Sequence, residues 1–281
     1  MNGFGKYHPA VIFMYFVAVT VITIFVFDPV LLGIALLSQS AFYLYLRGMP
    51  EGIVFVGKCL GMVLVCGGIN ALVNHRGVTV LCRIGELPVT AECLFYGCMT
   101  GTLLAASLLM FGCCSRIMTS EKILCLFGNR LPHAALLFSM ALRLIPKIRW
   151  DYKKIRENHK LQKGILTTLV GLALEDSLEM GTAMRDRGYG KQQGGKRRTS
   201  IYTRSFNGRD LALTVCLLFT VSAGMGMYAC SQTGFLAFPY IEYSRDGMGT
   251  GAYLLFVLLF FIPLGINIRE ELRWRHIVSK I

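Results

Sequence analysis

Few residues in this chain have the types and spacing that chemistry needs. Gly190-Lys191-Gln192-Gln193-Gly194-Gly195-Lys196 has the GxxxxGK spacing of a phosphate-binding loop. Position 197 is Arg, however, where magnesium coordination requires a Ser or Thr hydroxyl, and no buried strand precedes the stretch. The chain is therefore not expected to bind ATP itself. The histidines, His8, His75, His133, His159 and His276, form no HExxH and no pair at ligand spacing. No GxSxG is present. The apolar stretches hold almost no acids, which leaves a proton relay through paired carboxylates without support. Of ten cysteines, Cys59, Cys66, Cys93, Cys98, Cys113, Cys216 and Cys230 lie in or beside apolar runs, where thiols act as small apolar residues. The adjacent pair Cys113-Cys114 has no CxxC partner. No catalytic residue, metal or cofactor is expected, and a coupling or scaffold role is favoured.

The elements around these residues belong to a membrane. The 281 residues are 54% hydrophobic and only 16% charged, with a mean hydropathy of +0.54, too little charge to cover a soluble domain of this size. Apolar runs long enough to cross the hydrocarbon core are read at 10–27, 29–46, 52–73, 91–113, 211–230 and 251–267. The first follows a short Lys6-bearing stretch and has no small-residue cleavage site behind it, so it reads as a span and not a cleaved leader. Asp28-Pro29 makes a tight break between the first two. The run 52–73 is the weakest, interrupted by Lys58 and several glycines. Gly57 and Gly61, and Gly97 and Gly101, are spaced as GxxxG and are expected to let helices approach closely.

Charge orients these spans. Between Ser115 and Arg209 lie 19 of the 29 Lys and Arg against seven acids. A net charge of +13 in a soluble protein would point to nucleic acid, but a basic block beside membrane spans marks the cytoplasmic side, and no nucleic-acid partner is expected. Spans four and five then flank the block, both termini fall inside, and the loops 74–90 and 231–250 face out. Arg47 in the second turn and Arg269, Arg273, Arg275 and Lys280 in the tail obey the same rule. The expected fold is all-α and polytopic, with about six transmembrane helices. Residues 1–113 hold about four spans, 114–190 a helical coupling segment, 191–209 a basic linker, and 210–281 about two spans and a cytoplasmic tail.

The basic block reads as helices with punctuation. Residues 119–128 make a short amphipathic piece, and Pro132 sits where another helix can begin. The chain is apolar from His133 to Ile145 and charged after Pro146. Ile148, Tyr152, Ile155 and His159 recur on one helical face, in a helix expected to end at Gly164. A second helix, about 165–187, places Leu166, Val170, Ala173, Leu174, Ser177, Leu178 and Gly181 on one side and Glu175, Asp176 and Glu179 on the other. Both helices finish with a cation followed by glycine, Lys163-Gly164 and Arg187-Gly188. Glycine there permits a left-handed cap, and the cation meets exposed carbonyls. Capping explains one such ending well and two in tandem less well.

Three pieces of this block carry a resemblance: Ala141-Leu142-Arg143-Leu144-Ile145-Pro146, the charged helix to Lys163-Gly164, and Ala183-Met184-Arg185-Asp186-Arg187-Gly188-Tyr189-Gly190. Here the chain resembles the transmembrane T component of energy-coupling factor transporters, the CbiQ/EcfT family. The likeness extends over most of the chain, including His8-Pro9, and its specific part is 141–190. That family has two Ala-Arg-Gly signatures, each ending a cytoplasmic coupling helix. The first corresponds to Gln162-Lys163-Gly164, with Lys in place of Arg, and the second to Asp186-Arg187-Gly188, with Asp in place of Ala. Lysine keeps the charge but not the planar fork, which implies a weaker first contact or a different partner. The family's Arg-x-x-Pro maps onto Arg143 and Pro146.

The resemblance implies a multi-pass protein of a bacterial cell membrane, surrounded by lipid, whose two coupling helices dock into two ABC ATPase subunits. Closure of the ATPases would tilt a separate substrate-binding S component for vitamin or metal-ion uptake. ATP hydrolysis would belong to the partners. The main rival is a conventional ABC permease subunit forming its own translocation path. Such a chain usually carries one short coupling loop, so two tandem helices with matched endings favour the T component.

Overall fold

The computed structural model describes residues 3–74, 77–84, 87–128, 131–158, 164–188, 206–231, 234–236, 242–244 and 247–279. Gln162, Lys163, His75, His159 and the GxxxxGK stretch lie outside the described residues. The described chain forms two compact units, Met1–Thr119 with Ser205–Ile281, and Ser120–Arg204.

The first unit is a helical bundle. Its helices are α1 (Pro9–Phe25), α2 (Pro29–Arg47), α3 (Met49–Val73), α4 (Ala91–Ile117), α8 (Gly208–Cys230) and α9 (Gly247–Val278). Five of these, α2, α3, α4, α8 and α9, are long and apolar enough to cross a membrane. The helix α1 is equally apolar but has 17 residues, about 26 Å of rise against a hydrocarbon core of about 30 Å. The weakest sequence span is a continuous 25-residue helix; neither Lys58 nor its glycines break it. Large apolar side chains such as Phe25, Leu37, Leu64 and Phe219 are exposed along these helices. That much apolar surface needs lipid to cover it, and the chain is a helical membrane protein.

Inside the bundle a core forms from Phe4, Ile12, Tyr15, Leu31, Phe42, Leu109, Cys113, Phe256 and their neighbours. Phe4 belongs to a short 3-10 turn, Phe4–Lys6. Its fully buried ring makes edge contacts with Tyr15, Phe16 and Phe42. Its N–H donates to Asn267 Oδ1 at 2.9 Å, and Lys6 pairs with Glu270, so the N-terminal segment is tied to α9.

The three buried acids among the described residues of the bundle all sit at helix N-termini, where the aligned peptide dipoles favour a negative group. Asp28 caps α2 by accepting from the N–H of Val30 and Leu31. Its other oxygen accepts from Tyr253 Oη at 2.6 Å. Glu92 lies in the first turn of α4 and accepts from Thr79 N and Oγ1. Asp210 forms a capping box with Asn207 and also accepts from His8 N. These carboxylates anchor helix ends.

Of the two glycine pairs, one packs. A Cβ on Gly97 would stand 2.9 Å from Gly67 Cα, and one on Gly101 2.9 Å from Val63 Cα, so α3 and α4 cross with backbones nearly touching. Gly57 and Gly61 meet nothing within 4 Å, and the expectation that they pack is corrected: they lie on the open face of α3. Strands β1 (Val80–Ile84) and β2 (Leu87–Thr90) pair antiparallel, as do β3 (Gly234–Leu236) and β4 (Glu242–Ser244).

Candidate functional site

The second unit holds α5 (Ser120–Gly128), α6 (Pro132–Asn158) and α7 (Ile165–Asp186). The apolar stretch before Pro146 and the charged stretch after it are one helix, α6, which runs through Pro146 for 27 residues. Proline has no N–H, so the carbonyl of Leu142 loses its helical donor there. Arg143 and Pro146 are one turn apart, both exposed.

The sequence placed the end of this helix at Gly164. That helix is described as far as Asn158, residues 159–163 lie outside the described residues, and Gly164 stands as the residue before α7, at φ 102°. Its carbonyl accepts from the Thr168 N–H and from both Thr167 Oγ1 and Thr168 Oγ1, each at 3.1 Å. At the other end Arg187 is the C-cap, its N–H donating to the Ala183 carbonyl at 3.2 Å. Gly188 follows at φ 74° and donates to the Arg185 carbonyl at 3.0 Å. A side-chain-bearing residue is strained at these positive φ values, whereas glycine is not. The two signature glycines thus bracket one helix, α7, whose 22 residues separate them by about 33 Å.

Asp186, Arg187 and Gly188 are all exposed at the end of α7. Arg187 makes no ion pair among the described residues. The structure brings these three together and sets Gly164 at the opposite end of α7.

Packing between α6 and α7 uses a face that the sequence reading missed. On α7 the half-buried residues are Ile165, Leu169, Ala173, Asp176, Met180 and Met184, at steps of four, four, three, four and four. On α6 they include Met140, Leu144, Ile148, Asp151 and Ile155. Leu137, Met140, Ala141 and Leu144 face Ser177, Met180 and Gly181 across a cleft of about 280 Å3. Asp176, read as part of a charged outer side with Glu175 and Glu179, is turned inward and pairs with Lys147 at 2.5 Å. The Asp176 carboxylate raises the Lys147 pKa above the usual lysine value. The signal was present in the spacing, because Asp176 is in register with Ala173 and Met180.

This register pushes the leucine stripe outward. Leu166, Val170, Leu174 and Leu178 recur every four residues and are 76, 50, 62 and 73% exposed. They were expected to be the apolar side of the helix, and they are, but the described chain does not cover them. On α6, Trp150 is also exposed, with Lys154 Nζ 3.9 Å from its ring centroid.

No family model and no curated protein matches this sequence. The chemistry of the unit is therefore argued from its geometry. Among the described residues no three His, Cys, Asp or Glu side chains gather where they could hold a metal. What the unit presents is an apolar ridge along α7 with a cation-glycine cap beyond its end. That arrangement can bind another protein through burial along the ridge and a fixed charge at the tip.

Proposed function

We propose that this chain is the membrane-embedded coupling subunit of an energy-coupling factor type ABC importer, with the helical unit α5–α7 as its contact with the ATPases. The observation that carries the reading is the exposed end of α7. There Arg187 is held at the C-cap and Gly188 takes the left-handed conformation, at the residues where the sequence resembles the family's second signature. The exposed leucine stripe adds a reason for a partner, since four large apolar residues at one helical period lose free energy in water.

In this reading the basic unit is cytoplasmic, both termini lie on the same side, and the membrane is a bacterial cell membrane. Two ABC ATPases dock on the unit, through Asp186, Arg187 and Gly188 at one end of α7 and through Gln162, Lys163 and Gly164 at the other. ATP-driven closure moves α6 and α7, and the motion reaches a separate substrate-binding membrane subunit. Lys147–Asp176 and the apolar packing of α6 on α7 would make the two helices move as one lever. The chain itself performs no catalysis.

The test is co-purification from native membranes. Arg187→Glu is expected to abolish recovery of both ATPases while leaving membrane insertion intact, and Lys163→Arg is expected to be tolerated. Normal recovery of both ATPases with Arg187→Glu refutes the docking role. Mass spectrometry of what accompanies the unaltered chain decides the class: two ATPases and a small hydrophobic subunit are expected.

A further inference from the structure

The last helix outruns the membrane, and its excess carries a basic face. The 32 residues of α9 rise about 48 Å, against a hydrocarbon core of about 30 Å. Its first charged residue is Arg269, 22 positions beyond Gly247. The helix therefore leaves hydrocarbon near Ile268 and continues through the headgroup layer.

One exposed face of that exit, on α9 alone, carries Gly265, Ile268, Arg269, Leu272, Arg273 and His276. Its polarity changes along the helix axis. Gly265, which meets no atom at its Cβ position within 4 Å, and Ile268 form an apolar end inside the bilayer. Arg269 and Arg273, at i and i+4, form a cationic edge on one helical face, with Leu272 and His276 beside them.

Neighbouring acids do not neutralise this edge. Glu270 is paired with Lys6, and Glu271 with Arg275 and with the Tyr45 hydroxyl. Arg269 and Arg273 make no ion pair among the described residues. Trp274, partly exposed beside them, is of the type that settles at the membrane interface.

We infer that this face of α9 binds an anionic glycerophospholipid, the phosphate held by Arg269 and Arg273 and the start of an acyl chain lying over Gly265 and Ile268. A lipid fits better than a soluble anion because the apolar end of the face is continuous with the membrane interior. Paired arginines supply planar donors for phosphate oxygens, and Gly265 leaves room for hydrocarbon where a side chain would stand. The site lies at the end of the bundle where α4 finishes and α8 begins. It is independent of the coupling proposal.

The full chain in nanodiscs of phosphatidylcholine doped with phosphatidylglycerol tests this, with native mass spectrometry counting retained lipid. Each arginine removed is expected to weaken phosphatidylglycerol retention about fivefold, so Arg269→Gln with Arg273→Gln loses about 25-fold. The double Lys variant is expected to retain most binding, which separates charge from misfolding. Neutralising Lys153 and Arg156 in the other unit is expected to change nothing. Unchanged retention in the double Gln variant overturns the proposal, as does equal displacement by inorganic phosphate. Loss of a co-purifying acidic protein with lipid retention intact overturns it too, in favour of a protein partner.

Discussion

Substituting Gly188 probes the cap without touching the charge. The residue has φ 74° and an empty surround, since a Cβ built there meets nothing within 4 Å. No clash is introduced, and the cost of a side chain is the backbone strain alone, about 1–2 kcal/mol for an ordinary L-residue in the left-handed region. Asparagine tolerates that region and costs less; a β-branched residue costs more. The strain acts on the last turn of α7, whose capping bonds run from Arg187 N to Ala183 O and from Gly188 N to Arg185 O. If the ATPase recognises this capped end, a cost of 1–2 kcal/mol lowers its apparent affinity by up to about 5- to 30-fold. The order of ATPase recovered with the tagged chain should be Gly, then Asn, then Ala, then Val. Membrane insertion and thermal stability of the bundle should stay unchanged, because the strain is confined to one helix end of the other unit. Recovery with Gly188→Val equal to that of the unaltered chain refutes the claim that the cap positions Arg187.

Other perturbations test the packing that carries the site. Phe4→Ala removes a fully buried ring contacting Tyr15, Phe16 and Phe42 and should cost about 3–5 kcal/mol, read as a lower unfolding midpoint in detergent. Tyr253→Phe deletes the 2.6 Å hydrogen bond to Asp28 and should cost about 1–3 kcal/mol by the same measurement, because the buried carboxylate oxygen loses its donor. The Lys147–Asp176 pair should be insensitive to pH from 6 to 9. The Lys147 pKa is raised by Asp176, so the contribution is complete below the ordinary lysine value and fades only as pH climbs through the raised one. Protection of the α7 amides, exchange measured against the intrinsic base-catalysed rate at each pH, should accordingly stay flat over that interval and fall at neutral pH in Asp176→Asn.

Much of the fold is legible in the sequence because lipid imposes a strong constraint. A run such as 29–46 must satisfy its backbone internally, and the helix Pro29–Arg47 follows from its length, with Asp28 as the obvious cap. Departures arise where tertiary partners decide. Gly57-x-x-x-Gly61 and Gly97-x-x-x-Gly101 are the same pattern, yet only the second meets another helix; spacing makes close approach possible but does not choose the face that is used. The change from apolar to charged at Pro146 does not say whether the helix continues there; α6 does, at the expense of one carbonyl's partner. Hairpins in the loops 74–90 and 231–250 were missed because their strands are at most five residues long, too short for alternation to stand out.

The most instructive departure is on α7, where two readings of one helix compete. Apolar residues occupy both Leu166-Val170-Leu174-Leu178 and Ile165-Leu169-Ala173-Met180-Met184, and hydrophobicity alone makes the leucine stripe look like the core. The chain buries the other face, where Ala173, Met180 and Met184 lie in register with Asp176 and Asp176 meets Lys147 of α6. A helix with two apolar faces and one partner leaves the second to something else. In a chain that folds to work alone, that stripe would be selected toward polar residues, since exposed leucine gains nothing in water. Its presence beside a rigidly capped Arg187 is what an assembly subunit requires: one face to hold the lever together, another to be gripped, and a charged tip that fixes the grip in register.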